Sequence, residues 1–303
     1  MKDAKSYKGF TLVEIMVSVV LASIILVTLY SLFTSQQKTY NSQDLIVEMQ
    51  QNVRTALDTM VRDLRTMGYG IPTVSNPSAI ETITSATENS ITFKVDMDDV
   101  SASLVLDYTA PGTTLSVNTV SDSSSSYYYG RFKVGDTIYI TDGYKWGSTT
   151  IDEPIAAGSL TISSPLSDYF PAGSVLHVIN SITFAQSPSN HLHSTSAPTI
   201  KITRSIDGGS AQPVVDDIDY LEFKYYDEND NLLGSKTPYK TVSLSSSERN
   251  NVRKVKVLVI ARTMREDPYY NDSGTYNCGD TYSDRYHRIT LESDIKLRNI
   301  GLE

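Results

Sequence analysis

The sequence predicts an α+β protein in which one long N-terminal helix packs on a mainly antiparallel β-sheet domain carrying a β-rich insertion. Three observations predict it. Ile15 to Gln37 contain no charged residue, a helical spacing of apolar residues then continues to Met67, and beyond residue 70 the pattern becomes short strand-like runs separated by turn residues.

The uncharged run is long enough to cross a bilayer, because a helix needs roughly 20 residues to span the hydrocarbon core. Lys2, Lys5 and Lys8 precede it. That asymmetry keeps the extreme N-terminus cytoplasmic and sends the body across the membrane. The following "SLFTSQQKTYN" offers no small-residue cleavage pattern, so a plain signal anchor accounts for the basic start and the span. It does not account for Glu14. An ionised carboxylate in the bilayer costs about 2.5–3.5 kcal/mol on insertion scales, less near a helix end. A cut between Gly9 and Phe10 would supply a partner: the new α-amino group of Phe10, one helical turn before Glu14, within a chain or between neighbouring chains.

The second half of the helix is amphipathic. Ile46, Met49, Val53, Ala56, Met60, Leu64 and Met67 recur at spacings of three and four, with Lys38, Asp44, Glu48, Arg54, Asp58, Arg62 and Asp63 between them. Residues 10–37 thus read as span and 38–67 as its continuation, a rod about 87 Å long. A coiled-coil stalk is the alternative reading of 38–67. The glycines and proline of "MGYGIP" (67–72) end the helix.

Residues 68–303 read as one β-rich domain. "ITFKV" (91–95), "LVLDY" (104–108), "GDTIYIT" (135–141), "SLTIS" (159–163) and "SVLHVI" (174–179) are assigned to an insertion over about 90–180. Strands near 181–204, 220–226, 252–262 and 287–299 are assigned to a sheet against the helix. In "HRITLESDIKLRN", Ile289, Leu291, Ile295 and Leu297 share the core face, while Arg288, Thr290, Glu292, Asp294, Lys296 and Arg298 face water.

A net charge of −9 and a pI near 5.0 argue against a nucleic-acid partner. The single cysteine, Cys278, excludes an internal disulfide and a cysteine-based zinc cage. "HLH" (191–193) lacks a third ligand, and "DENDN" (227–231) lacks the glycine and glutamate of an EF-hand loop. "DMDD" (96–99) and "DDID" (216–219) read as acidic turns that could help hold calcium. No nucleophile elbow, phosphate loop, dinucleotide fingerprint or zinc-protease motif is present, so no catalytic, cofactor or metal residue is assigned.

"KGFTLVEIMVSVVLASIILV" closely resembles the class III signal of type IV prepilins and type II secretion pseudopilins. The resemblance implies that prepilin peptidase cuts after Gly9 and methylates Phe10, and that Glu14 neutralises the N-terminal amine of an adjacent subunit. More loosely, "IDYLEFKYYDENDN", "VRKVKVLVIARTM" and the closing "LRN" strand are similar to PilW-type minor pilins and in outline to the J-type pseudopilin. The implied fold is pilin-like, without enzymatic activity. The implied location is the inner membrane, single-pass with a periplasmic body, and then a pilus or pseudopilus. Its partners would be prepilin peptidase, the major pilin and other minor pilins, the inner-membrane assembly platform and, before assembly, membrane lipid. Loss of three bases and one acid with the leader would take the net charge from −9 to −11. A filament-borne adhesin and a membrane-tethered enzyme are the other function classes weighed.

Overall fold

A computed structural model describes residues 9–71, 80–97, 100–118, 132–153, 158–188, 200–234, 243–276 and 281–299. Helix α1 (Leu12–Thr66) runs 55 residues without a break. Its two halves meet different surroundings. Side chains from Phe10 to Phe33 are exposed, whereas Met49, Val53, Ala56, Met60 and Leu64 are buried as the 3.6-residue period requires. Gly68 and Gly70 then take φ of +81° and +72°, the left-handed region where a Cβ is strained. Space is closed as well: a Cβ on Gly68 would lie 2.7 Å from the Asn299 carbonyl oxygen, and one on Gly70 would lie 2.4 Å from the Asp96 Cβ. These close approaches join the helix end to the sheet.

That sheet has seven strands in the order β1 (Ile83–Ala86), β2 (Ser90–Val95), β9 (Asn180–Ser187), β10 (Ile200–Ile206), β11 (Gln212–Tyr226), β12 (Lys254–Arg262) and β13 (Arg288–Lys296). Every neighbouring pair is antiparallel. One face packs on α1, so that Met60 and Leu64 share a core with Phe93, Phe184, Ile202, Leu221, Phe223, Val257 and Ile295. Each such large side chain contributes about 1.5–3 kcal/mol by leaving water. The short helix α2 (Ser246–Asn250) holds the β1 edge: Arg249 donates to the Ile83 carbonyl at 2.9 Å and pairs with Glu81 at 3.0 Å.

Between β2 and β9 the chain leaves to build a second unit. Strands β3 (Ser101–Ser103), β5 (Thr137–Thr141), β6 (Trp146–Thr150) and β8 (Val175–Val178) form a sheet in the order β3-β8-β5-β6, and β4 (Thr114–Ser116) pairs with β7 (Ser159–Thr161). The unit has its own core around Leu115, Phe132, Ile138, Leu160, Phe170 and Leu176.

Two segments differ from the sequence reading. Residues 90–95, assigned to the insertion, belong to the main sheet, because Ile91, Phe93 and Val95 alternate onto the α1 core and β2 pairs with β9. Residues 104–108 make isolated bridges at Leu104 and Tyr108, with Val105 and Leu106 exposed between them. A run of three apolar residues there does not alternate, so it cannot put one face inward as a strand does.

Candidate functional site

At its start, α1 is held by a reciprocal cap. Thr11 has extended backbone angles, and its amide and its hydroxyl each donate to Glu14 Oε2 at 2.9 Å. The Glu14 amide in turn donates to Thr11 Oγ1 at 3.3 Å. This is the capping box that "TLVE" encodes, a threonine followed three residues later by glutamate ahead of an apolar run. Thr11 is the site residue that the sequence reading passed over, although the T-x-x-E spacing was its signal. In this chain, Glu14 therefore finds its polar partners on Thr11.

Phe10 is 84% exposed, and nothing lies within 4 Å of a Cβ built on Gly9. Gly9 also lies outside the left-handed region, so neither its backbone geometry nor packing among the described residues demands glycine there. Farther along, Ser18 donates to the Glu14 carbonyl, Ser23 to Val20 and Thr28 to Ile24 and Ile25. Hydroxyls satisfied by their own helix do not bar it from hydrocarbon. The helix is long and apolar enough to cross a membrane.

Residues 4–30 match the prokaryotic N-terminal methylation motif. The N-terminus is thus type IV prepilin-like, of the kind processed by prepilin peptidase, and the match ends well before the β domain. No curated protein and no solved structure matches the chain.

Where α1 enters the domain, the connection between β12 and β13 grips it. This segment is an irregular hairpin: Thr263 bonds His287, Asp267 bonds Arg285, and Asp272 bonds Asp284 through backbone groups. Ser42 of α1 donates to Asp267 Oδ2 at 2.8 Å, and His287 Nε2 lies 3.0 Å from the same oxygen and 3.3 Å from Ser42 Oγ. Tyr270 stacks on the His287 ring at 3.7 Å. Serine, histidine and carboxylate meet here, but in a triangle on one ring nitrogen. A nucleophile relay needs carboxylate and hydroxyl on opposite nitrogens, so the arrangement fastens the hairpin to the helix.

The hydrogen bond from His287, then that from the Tyr269 amide, outweigh burial and hold the Asp267 carboxyl below its ordinary value. A depressed carboxyl contributes stability above its unfolded value of about 3.9, lost as pH falls through the folded value. Wild type should therefore lead Asp267→Asn by about 1 kcal/mol at pH 6, roughly the net worth of one hydrogen bond. The gap between thermal melts of the two should begin to narrow as pH falls below about 4; a gap unchanged with pH would remove the ionised carboxylate from the clamp.

Farther along the hairpin, Arg288 is buried among three carboxylates. Its side chain is 1% exposed, with Nε 2.6 Å from Asp219, Nη1 2.9 Å from Asp272 and Nη2 2.6 Å from Asp284. Its guanidinium carbon lies 3.8 Å from the Tyr282 ring centroid, while the Tyr276 hydroxyl donates to Asp272 at 2.7 Å. Burial and that bond push the Tyr276 hydroxyl well above the ordinary tyrosine range. The expectation that Arg288 faces water is corrected: the hairpin covers that end of the outer sheet face, where Leu258 and Ile260 pack with Tyr220 and Tyr276. Local alternation could not reveal a cover contributed by residues 272–276 and 281–284.

The other sequence candidates are scattered. "DDID" lies inside β11, where Asp217 has φ of +58° at an irregularity and Asp219 is turned to Arg288. In "DENDN", the Asp227 carboxylate accepts the backbone amides of Asn229 and Asn231 at the end of β11, closing a turn. Asp96 is buried, its Oδ2 3.4 Å from His177 Nδ1. Among the described residues no group of three or more histidine, cysteine or carboxylate side chains is placed to hold a metal ion, the three carboxylates around Arg288 being occupied by its guanidinium. His191, His193, Cys278, Asp98 and Asp99 lie outside the described residues.

Proposed function

We propose that this chain is a minor pilin of the PilW type, cut by prepilin peptidase after Gly9, methylated on Phe10 and built through its N-terminal helix into a type IV pilus or its tip or priming complex. The observation that carries this reading is the methylation motif placed at the head of a helix whose first half is exposed and apolar. An inner-membrane anchor with the domain in the periplasm precedes assembly. Glu14 would then exchange Thr11 for the amine of an adjacent subunit, and helix–helix contacts would replace lipid. That nothing among the described residues needs glycine at residue 9 supports selection by an outside partner, the peptidase. Recognition of nucleic acid has no support in a chain of net charge −9.

The expected mature N-terminus is methylated Phe10, read by peptide mapping of protein from cells, and Gly9→Glu should retain the leader in essentially all copies. An N-terminus beyond residue 30 would assign the cut to an ordinary signal peptidase. The separately cored unit between β2 and β9 favours a second reading, a binding module carried on the filament. Deleting that unit separates the two: filaments that form but no longer attach support the module. Secretion lost in place of piliation on removing the whole chain would make it a pseudopilin.

A further inference from the structure

The hairpin that grips α1 does so at a height the helix itself defines. A hydrocarbon core about 30 Å thick takes about 20 helical residues, so a span counted from Glu14 leaves it near Thr34 and puts Lys38 about 6 Å beyond, among the headgroups. Lys38 and Ser42, four residues apart, share one face. Ser42 holds Asp267, and the Lys38 ammonium lies 4.1 Å from the centre of the Tyr269 ring. Helical side chains lean toward the N-terminus, here toward the bilayer. The Tyr269 ring is thereby carried to the membrane side of the clamp.

The chemistry of this tip suits that position. Tyr269 is 70% exposed, Tyr40 65% and Met264 50%, beside exposed Arg265 and Lys38. Tyrosine, with an apolar ring and a polar end, is enriched where bilayer meets water. Two cations there can meet lipid phosphates. Two carboxylates lie in this segment: Asp267 is consumed inside by Ser42, His287 and the Tyr269 amide, and the exposed Glu266 can meet the ammonium groups of phosphatidylethanolamine.

We propose that residues 264–270, with Lys38 and Tyr40, form a seat for the phospholipid headgroup layer, fixing the height and rotation of the β domain over the bilayer before the helix leaves it. The proposal rests on the membrane-span reading. It is tested with the full chain in vesicles of phosphatidylethanolamine and phosphatidylglycerol brominated at defined depths. Single substitutions Tyr269→Trp, Tyr30→Trp and Tyr144→Trp are compared, with Trp146 kept as common background and quenching read as the increment over wild type. All three tyrosines are exposed, so the added indole disturbs no core.

Tyr30→Trp, about 6 Å inside the hydrocarbon edge near Thr34, should be quenched by bromine on the upper half of the chains. Tyr269→Trp should lose most of its added emission to bromine near the headgroups and little to bromine at the chain ends. Tyr144→Trp, on the second unit, should lose none. Quenching at Tyr30→Trp with none at Tyr269→Trp overturns the seat while leaving the span intact; absence of quenching at both overturns the span and the seat with it. Shielding of Tyr269→Trp that grows with protein density in the bilayer, without quenching by bromine, would give this surface to a second copy of the chain.

Discussion

Arg288→Met should destabilise the fragment 38–303 by about 3–5 kcal/mol, the usual cost of removing one partner from a buried ion cluster. The fragment is the right vehicle because the core between helix and sheet begins with Ile46 and Met49 and needs nothing from the apolar half. Methionine keeps volume but abandons Asp219, Asp272 and Asp284, which now meet on a side chain 1% exposed. Against a typical domain stability of about 5–15 kcal/mol, the loss is large. Its pH dependence identifies the cause. In wild type, burial is the largest single influence on the Asp284 carboxyl and works to raise it, but the hydrogen bonds from Arg288 and the Tyr286 amide, together with the Arg288 and Arg262 charges, outweigh it and the value is lowered. Without the guanidinium the Asp284 carboxyl keeps its burial but loses the Arg288 hydrogen bond and charge that offset much of it, so its folded value is raised. A raised carboxyl favours folding as pH falls, so the gap between variant and wild type should narrow in acid. Denaturant midpoints at pH 7 and pH 4 measure it. A loss below about 1 kcal/mol would mean that the cluster behaves like a solvated surface pair. Arg288→Lys should fall between, since an ammonium restores charge without the planar fork.

What the sequence discloses about this fold is whatever repeats locally. The buried stripe Met49, Val53, Ala56, Met60 and Leu64 is visible because each member sits one turn from the next, and Ile295 and Leu297 alternate as a strand facing a core must. Gly68 and Gly70 mark the helix end because their backbone requires them. The first half of β11 is hidden for the opposite reason. "QPVVDDID" carries proline and three aspartates, and its pairing shifts register near Val215 and again between Ile218 and Tyr220, so inward residues fall three apart. The surroundings of Arg288 are hidden because its partners lie at 219, 272 and 284, and only the folded hairpin collects them. At the helix head, Gly9, Phe10 and Glu14 stand out as a pattern; Thr11 needed only the capping spacing to join them.

Glu14→Leu should leave the chain in the membrane and nearly abolish its recovery from sheared filaments. In the chain alone, Glu14 closes a cap on Thr11 at the tip of a 55-residue helix, so losing it costs on the order of 1 kcal/mol locally and leaves the domain untouched. Leucine is also the better residue in lipid, by about 3 kcal/mol at mid-span on insertion scales and by less at this helix end. Insertion is therefore preserved. Assembly differs, because a cationic amine at Phe10 moving among apolar helices without a carboxylate is a charge buried unpaired, at a cost of several kcal/mol. At about 1.4 kcal/mol for each factor of ten, incorporation should fall on the order of 100-fold or more. Glu14→Gln separates the two duties of this side chain. Glutamine can still accept from the Thr11 amide as the third residue of a capping box, yet it carries no charge. If charge pairing governs assembly, the glutamine variant should fail as the leucine variant does. Incorporation of glutamine but not leucine would transfer the role to the cap, and wild-type incorporation of both, measured by quantitative mass spectrometry of sheared filaments against the membrane fraction, would sink the pairing altogether.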